Sequence, residues 1–262
     1  MSDRWRSSPF IIAVIVFLVC PSLSFAKEKI RFGVSAFGGY NRCQMTDLNK
    51  HVQFVLNEVD VALASTGGRV TLDGIGHGTG LGGGLHAWAT ENVLVCAEYE
   101  RLFAKTSKDE TSAGTAYHTE LTAPANGFTL TGAYFIPSPS KARFGLGAGV
   151  GYYSTKVTAD LSSDGRPATD VDLGLGTTGE PILTSELKGH GFGVHGLGIM
   201  DYAATREVHL DLRVGGRYAK TAQLEDKTTG EVLTNAHGKK VKADWSGPFA
   251  RLGFTFLFGK TE

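Results

Sequence analysis

The chain has 262 residues, a formal net charge of zero and an apolar fraction of 42%. The balanced charge argues against nucleic acid as a partner, and beyond the N-terminal region no stretch reaches the ~18 apolar residues of a membrane-crossing helix. A glycine count of 35 with so modest an apolar fraction suits a barrel, in which only every second residue meets lipid.

The N-terminus reads as a targeting segment. Arg4 and Arg6 precede an apolar run from Phe10 to Cys20, and Ser24-Phe25-Ala26 ends on a small residue before Lys27. That order is a secretory signal peptide, residues 1–26, whose apolar run is too short to span a bilayer. Residues 27–262 then form one outer-membrane barrel domain. A lipoprotein anchor at Cys20 is the rival reading, and Val19 is bulky for the position before such a site.

From Lys29 onward the dominant signal is period-two alternation broken by turn residues. The first strand, Lys29 to Tyr40, sets Ile30, Phe32, Val34 and Ala36 against Arg31, Gly33, Ser35 and Gly39. A different period follows. Met45, Leu48, Val52, Val55, Leu56, Val59 and Leu63 recur at spacings of three and four, one face of a helix, with Thr46 or Asp47 near its start and Gly67-Gly68 beyond its end. A helix packed over the external mouth is the expectation; an apolar face that captures a ligand or partner is the alternative.

The second strand runs from about Gly78 to Ala89, with Leu81, Leu85 and Ala87 opposite Gly82, Gly84, His86 and Trp88. The third sets Val93, Val95, Ala97, Tyr99 and Phe103 against Cys96, Glu98 and Glu100. The fourth carries Phe128, Leu130, Tyr134 and Ile136 opposite Thr129, Thr131 and Ala133. In the fifth, Phe144, Leu146, Ala148, Val150 and Tyr152 alternate with Gly145, Gly147, Gly149 and Gly151. The sixth, near His190 to Tyr202, is the weakest, because Leu197 and Ile199 fall on its polar face. The seventh sets Val208, Leu210, Leu212, Val214 and Tyr218 against His209, Asp211, Arg213 and Arg217. The eighth sets Ala250, Leu252, Phe254, Phe256 and Phe258 against Arg251, Gly253 and Thr255.

Connection lengths support a membrane topology. Short links near 89–92, 137–141 and 204–207 alternate with long ones at about 41–77, 107–127, 162–184 and 222–241. Transmembrane barrels have short periplasmic turns and long external loops, so a chain entering from the periplasm and crossing eight times produces this order. The fold class is therefore all-β: an eight-stranded antiparallel transmembrane up-and-down β-barrel with one helix in the first external loop. Directly paired residues share a face, which predicts His86 opposite Cys96, Phe135 opposite Arg143, and Asp201 opposite His209.

A soluble barrel would turn its apolar face inward. Here the polar face is rich in glycine, as a narrow eight-stranded interior requires. Tyr40, Phe103, Phe128, Tyr134, Tyr152, Tyr202, Tyr218 and Phe258 fall near strand ends on the apolar face, as in interfacial aromatic girdles. The polar face gathers Glu98, Glu100 and Asp211 with Arg213, Arg217 and Arg251. Charges in so narrow a lumen must pair, which makes this a structural salt-bridge network; an ion or proton path is the alternative. Cys43 and Cys96 are expected as separate thiols. Export permits a disulfide, but the two fall near opposite ends of their strands and a bridge needs Cα atoms within ~7 Å.

The stretch from Arg143 through Phe144-Gly-Leu-Gly-Ala-Gly-Val-Gly to Tyr153 resembles the glycine-alternating strand of small outer-membrane barrels of the OmpA, OmpX and OmpW kind. The ending Arg251-Leu-Gly-Phe-Thr-Phe-Leu-Phe258 resembles their C-terminal assembly signal. By that resemblance Gly253, Phe256 and Phe258 are read by the barrel-insertion machinery, although Gly-Lys-Thr-Glu follows Phe258 where the family usually stops at the aromatic residue.

No catalytic, cofactor or metal site emerges. There is no His-x-Ser motif of the lipid A deacylase kind. Asp201 and His209 form the nearest thing to a dyad, with no serine facing them in the predicted register. His190 and His195 point to opposite faces of one strand and cannot share a metal there. The glycine runs lack the lysine and the strand–turn–helix setting of a phosphate loop. The expectation is a monomeric, non-enzymatic barrel in outer-membrane lipid with a structural, adhesive or surface-recognition role and no cofactor. A narrow channel or carrier for small solutes is the alternative, and an outer-membrane lipid hydrolase the third reading.

Overall fold

The computed structural model describes residues 30–63, 69–112, 114–163, 166–167, 184–227, 229–235 and 238–258; the expected signal peptide lies outside them. In chain order these form β1 (Arg31–Arg42), α1 (Thr46–Leu63), β2 (His77–Trp88), β3 (Val93–Phe103), β4 (Lys105–Ser112), β5 (Thr115–Thr122), β6 (Ala125–Phe135), β7 (Ala142–Ser163), β8 (Arg166–Pro167), β9 (Thr184–Ala203), β10 (Val208–Ala219), β11 (Glu225–Asp226) and β12 (Gly247–Phe258).

Eight of the strands close on themselves. Going round the ring they are β1, β2, β3, β6, β7, β9, β10 and β12, every neighbour is antiparallel, and β12 pairs back onto β1. The eight-stranded up-and-down barrel inferred from the alternation is present, with its helix in the first long connection. The short links and both ends of the barrel chain lie at one rim, and the long connections lie at the other. No helix among the described residues is long and apolar enough to cross a membrane; the crossing elements are strands.

The outward face is apolar. Phe192 is 78% exposed and Leu146 74%, and a continuous belt of such side chains is stable only against lipid. All eight aromatic side chains assigned to the girdles are exposed on this face. Registers place Phe103 beside Thr79, itself across from Tyr40, and Phe128 between Tyr99 and Tyr152, which is one slanted ring. The apolar-inward alternative is thereby excluded.

The hairpin registers divide. His86 pairs with Cys96 as expected. Phe135, however, pairs with Gly145 rather than Arg143, and Asp211 rather than His209 lies across from Asp201. Both shifts are of two residues, so every face is preserved. The turns are longer than the shortest odd solution, and alternation carries parity but not turn length.

One of the expected long loops, 107–127, is not a loop, and the strands that flank the connection expected at 162–184 are long. Strand β7 continues to Ser163 and β9 starts at Thr184, so both rise well past the girdle. The hairpin β4–β5, from Lys105 to Thr122, takes up most of the segment 107–127; its Gly114 turn has a φ of +83° and its second strand pairs with the extension of β7. This annex is polar on one side and apolar on the other, a pattern too short to separate from a loop in the sequence.

Strand β7 explains its glycines by close approach. A Cβ at Gly149 would lie 2.6 Å from His195 Nε2, and one at Gly145 would lie 3.0 Å from the Phe135 ring. Glycine here makes room for the large lumenal side chains of the neighbouring strands. At the other end of the chain, Gly247 opens β12 at a φ of +152°, a conformation open to glycine at no steric cost.

Candidate functional site

The lumen is built in layers, and β-strand alternation decides which side chains enter it. The middle layers hold the six charged residues singled out in the sequence. Arg213 donates from Nε to Asp211 Oδ1 (2.6 Å) and from Nη1 to Glu98 Oε1 (2.5 Å). One layer outward, Arg217 donates to Glu100 Oε1 and to Asn41 Oδ1, each at 2.5 Å. Arg251 joins the two sets: Nη2 donates to Glu100 Oε2, and Nη1 lies 3.9 Å from Glu98 Oε2. All six side chains are buried. Three carboxylates thus face three guanidiniums, and the formal net charge of the set is zero.

Aromatic faces complete the packing. The Arg251 guanidinium sits 4.6 Å from the Phe249 ring centroid and 5.0 Å from that of Phe37. Arg217 lies over Tyr153 and again over Phe249. A guanidinium keeps its in-plane donors for carboxylates while its faces stack on rings, so Arg fits here where Lys would not. His195, on the lumenal side of β9, makes a 2.8 Å contact with Thr131 Oγ1, while His190 is exposed on the outer face.

The inner part of the lumen departs from the uniformly polar interior expected. Trp88, Leu94, Phe135, Ile199 and Leu257 are all buried there in one apolar cluster with Cys96 and Leu197. Leu197 and Ile199, the residues that spoiled the alternation of the sixth strand, are the side chains that fill it. At the rim below, Arg143 donates to Asp201 Oδ2 at 2.6 Å, Asp201 lies 3.0 Å from His209 Nδ1, and the Arg143 guanidinium stacks 4.3 Å over Trp88. The expected dyad is therefore a diagonal contact, with its carboxylate also taken by an arginine. Ser140 and His209 line one groove at this rim, but the Ser140 hydroxyl donates to Ala142 O.

One cluster of metal-ligand type escaped the sequence reading. Ligand atoms of His86, Cys96 and Glu98 all lie within 4.8 Å of one another. The Arg213 guanidinium, however, donates to Glu98 and lies 3.3 Å from His86 Nε2. A fixed positive charge at that spot opposes a cation; His86 and Glu98 belong to the ion-pair network, and Cys96 packs in the apolar cluster. Cys43 and Cys96 are free and buried. Burial pushes the Cys43 thiol up to about 11, so it is inert at neutral pH.

The external end carries a structured platform. The face of α1 read from the sequence turns inward: Met45, Leu48, Leu56 and Val59 are buried over Leu102, Ala125, Tyr153 and Ala219 at the tops of the barrel strands. Asn49 ties the helix to the segment beneath it, donating from Nδ2 to Ile75 O (2.9 Å) and accepting from Ile75 N (3.0 Å). Thr71 in that segment donates from its backbone N–H and its hydroxyl to Glu110 of β4, at 2.6 and 2.8 Å. Trp245 and Val241 of the last connection are buried in the same core. Outward, α1 shows Phe54 (45% exposed) and Val61 (75%). The signal for the helix was its period; nothing comparable announced the β4–β5 hairpin.

No protein-family model matches the chain, and no curated protein matches it in sequence. Solved structures do resemble it in fold. Neisserial surface protein A (NspA) aligns over 88% of this chain and 100% of its own at 16% identity, with a TM-score of 0.43. A major outer membrane protein from Thermus thermophilus aligns over 88% and 100% at 11% identity (TM-score 0.40). The outer membrane protein OprG from Pseudomonas aeruginosa aligns over 88% and 95% at 15% identity (TM-score 0.38). These likenesses assign no activity. The closed ring and its lipid-facing belt give this chain, on its own evidence, the architecture of a small eight-stranded outer-membrane β-barrel.

Proposed function

We propose that the protein is a sealed, non-catalytic outer-membrane barrel whose external platform serves a structural, adhesive or surface-recognition role. The observation that carries this reading is the filled lumen. Between the inner rim and α1 lie an apolar cluster, a neutralised layer of six buried charges and the outer core. The void beside Asp211 and His86 measures about 10 Å3, about the space of one water molecule. A hydrated ion crossing this interior would have to break several buried ion pairs at once, each costing roughly 3–5 kcal/mol.

The platform supports the recognition half of the proposal. Helix α1, the β4–β5 hairpin and the extensions of β7 and β9 form an ordered surface with its own core, and rigid scaffolds with exposed aromatic and aliphatic side chains are suited to contact other surfaces. Assembly is proposed to proceed through the C-terminal signal Gly253, Phe256 and Phe258.

Conductance in planar bilayers tests the sealed lumen. The expected trace is flat; stable single-channel steps would replace this reading with the narrow channel. Lipid A mass spectra from cells with and without the protein test the absence of catalysis, and the expected spectra are identical.

A further inference from the structure

The platform encloses a cavity that the closed barrel does not use. It lies between α1 and the extended sheet and has a volume of about 250 Å3. Leu48, Val52 and Leu56 of α1 form one wall; Leu121 of β5 with Val157 and Leu161 of β7 form the other. These side chains are hydrocarbon, so water in the space would find few partners, and apolar cavities of this kind stay dry or take an apolar guest.

The lining also carries the polar side chains Thr119, Glu120, Asp160 and His51. His51 of α1 lines the cavity, and its Nδ1 is buried with no hydrogen-bond partner among the described residues. Burial holds this imidazole below its usual range, so it is neutral at pH 7, and a neutral ring offers one donor and one acceptor. Buried polar atoms are normally satisfied, so an unmatched nitrogen on an apolar wall is a feature a guest can use.

Size and charge define that guest. An apolar cavity of ~150 Å3 holds benzene in another protein, so the present one takes a single ring with a short alkyl tail. A volume of about 250 Å3 is too small for a helix, whose diameter is ~10 Å. Glu120 and Asp160 also line the cavity. Lys105 and His118 pair with Glu120 and hold its carboxyl below the usual range, so that carboxylate is ionised and already matched, and a charged guest gains no partner from it.

We propose that the cavity between α1 and the β5–β7 sheet binds a small, uncharged, mainly hydrocarbon molecule bearing one hydroxyl, with that hydroxyl on His51 Nδ1. The site is independent of whether the lumen conducts.

The test uses the full protein in detergent-free nanodiscs, with methyl-labelled Leu and Val and 4-propylphenol as probe. Saturable shifts at the Leu121 and Val157 methyls are expected, because these line the site, whereas partition into the bilayer moves only outward-facing methyls. Against 4-propyltoluene, which lacks the hydroxyl, binding is expected to be about tenfold weaker. His51→Phe is expected to bring the phenol down to the toluene and to leave the toluene unchanged. Ala159→Phe, which fills the cavity from β7, is expected to abolish both; Val52→Phe does the same from α1 if the first variant fails the unheated-gel test of folding. Absence of shifts at Leu121 and Val157 overturns the proposal. So does binding that survives the filled cavity, and so does a phenol affinity indifferent to His51→Phe.

Discussion

Replacing Glu100 by alanine should be among the most damaging single changes in the barrel. Its carboxylate accepts from Arg217 on one oxygen and from Arg251 on the other, and the Glu100, Arg217 and Arg251 side chains are 2%, 2% and 8% exposed. Without it, Arg217 keeps Asn41 and a long 3.5 Å contact to the Tyr153 hydroxyl, both neutral, and Arg251 keeps Glu98 at 3.9 Å. Three buried guanidiniums then face two carboxylates. Breaking a buried pair costs roughly 3–5 kcal/mol, because the surviving charge stays desolvated; that is more than a hundredfold in the unfolding constant. Urea unfolding in lipid vesicles, followed by tryptophan fluorescence and by unheated gel mobility, measures the loss. The comparison variant is Lys105→Ala, which breaks the exposed pair with Glu120 and should cost about 0–1 kcal/mol. Glu100→Gln keeps the acceptor but not the charge and should fall between them. If Glu100→Ala costs no more than Lys105→Ala, the lumenal network is not what holds the interior closed.

Leu56→Ala removes a buried side chain of α1 and should destabilise the platform by about 2–5 kcal/mol, seen as faster amide exchange in α1 with barrel strands unaffected. Phe258→Ala should reduce the amount of folded protein assembled in cells while refolding into vesicles proceeds normally; equal losses in both would remove the assembly-signal proposal. Cys43 should resist iodoacetamide at pH 8 in the folded protein and react on unfolding, since burial raises its thiol to about 11 and the thiolate is the reactive form. His118 on β5 is raised above its usual 6.5 by its hydrogen bond to Asp109 and then by Glu120. A raised histidine contributes fully below the unfolded value and loses that contribution as pH climbs through the folded one. Amide protection of β4–β5 should therefore be higher at pH 5.5 than at pH 8.5, and a flat profile would contradict the assignment.

Much of the barrel was legible because its cause is local. Alternation along Phe144 to Tyr152 reports a strand with one lipid-facing side whatever its neighbours are, and the odd–even agreement between hairpin strands carries the face of each residue. Register was not legible in two hairpins of three, since a slip of two residues leaves every face in place. Leu197 and Ile199 looked like a fault in the pattern; their reason is an apolar plug shared with side chains of β2, β3, β6 and β12. The β4–β5 hairpin was missed because β4 is polar throughout and β5 offers only Tyr117 and Leu121 to the core, too few for an alternation to register, and the pairing with β7 is what joins it to the sheet.

The sequence by itself determined the number of crossings, the lipid-facing side, the helix and which charged residues enter the lumen, because each follows from a repeat of two or of three to four residues along the chain. Only the tertiary structure decided that Arg213 meets Glu98, that Arg251 ties Glu98 to Glu100, and that α1 and β7 leave a cavity with His51 on its wall. Those partners lie on strands far apart in sequence, and which of them meet is set by the closure and stagger of the whole ring, a property no local repeat contains.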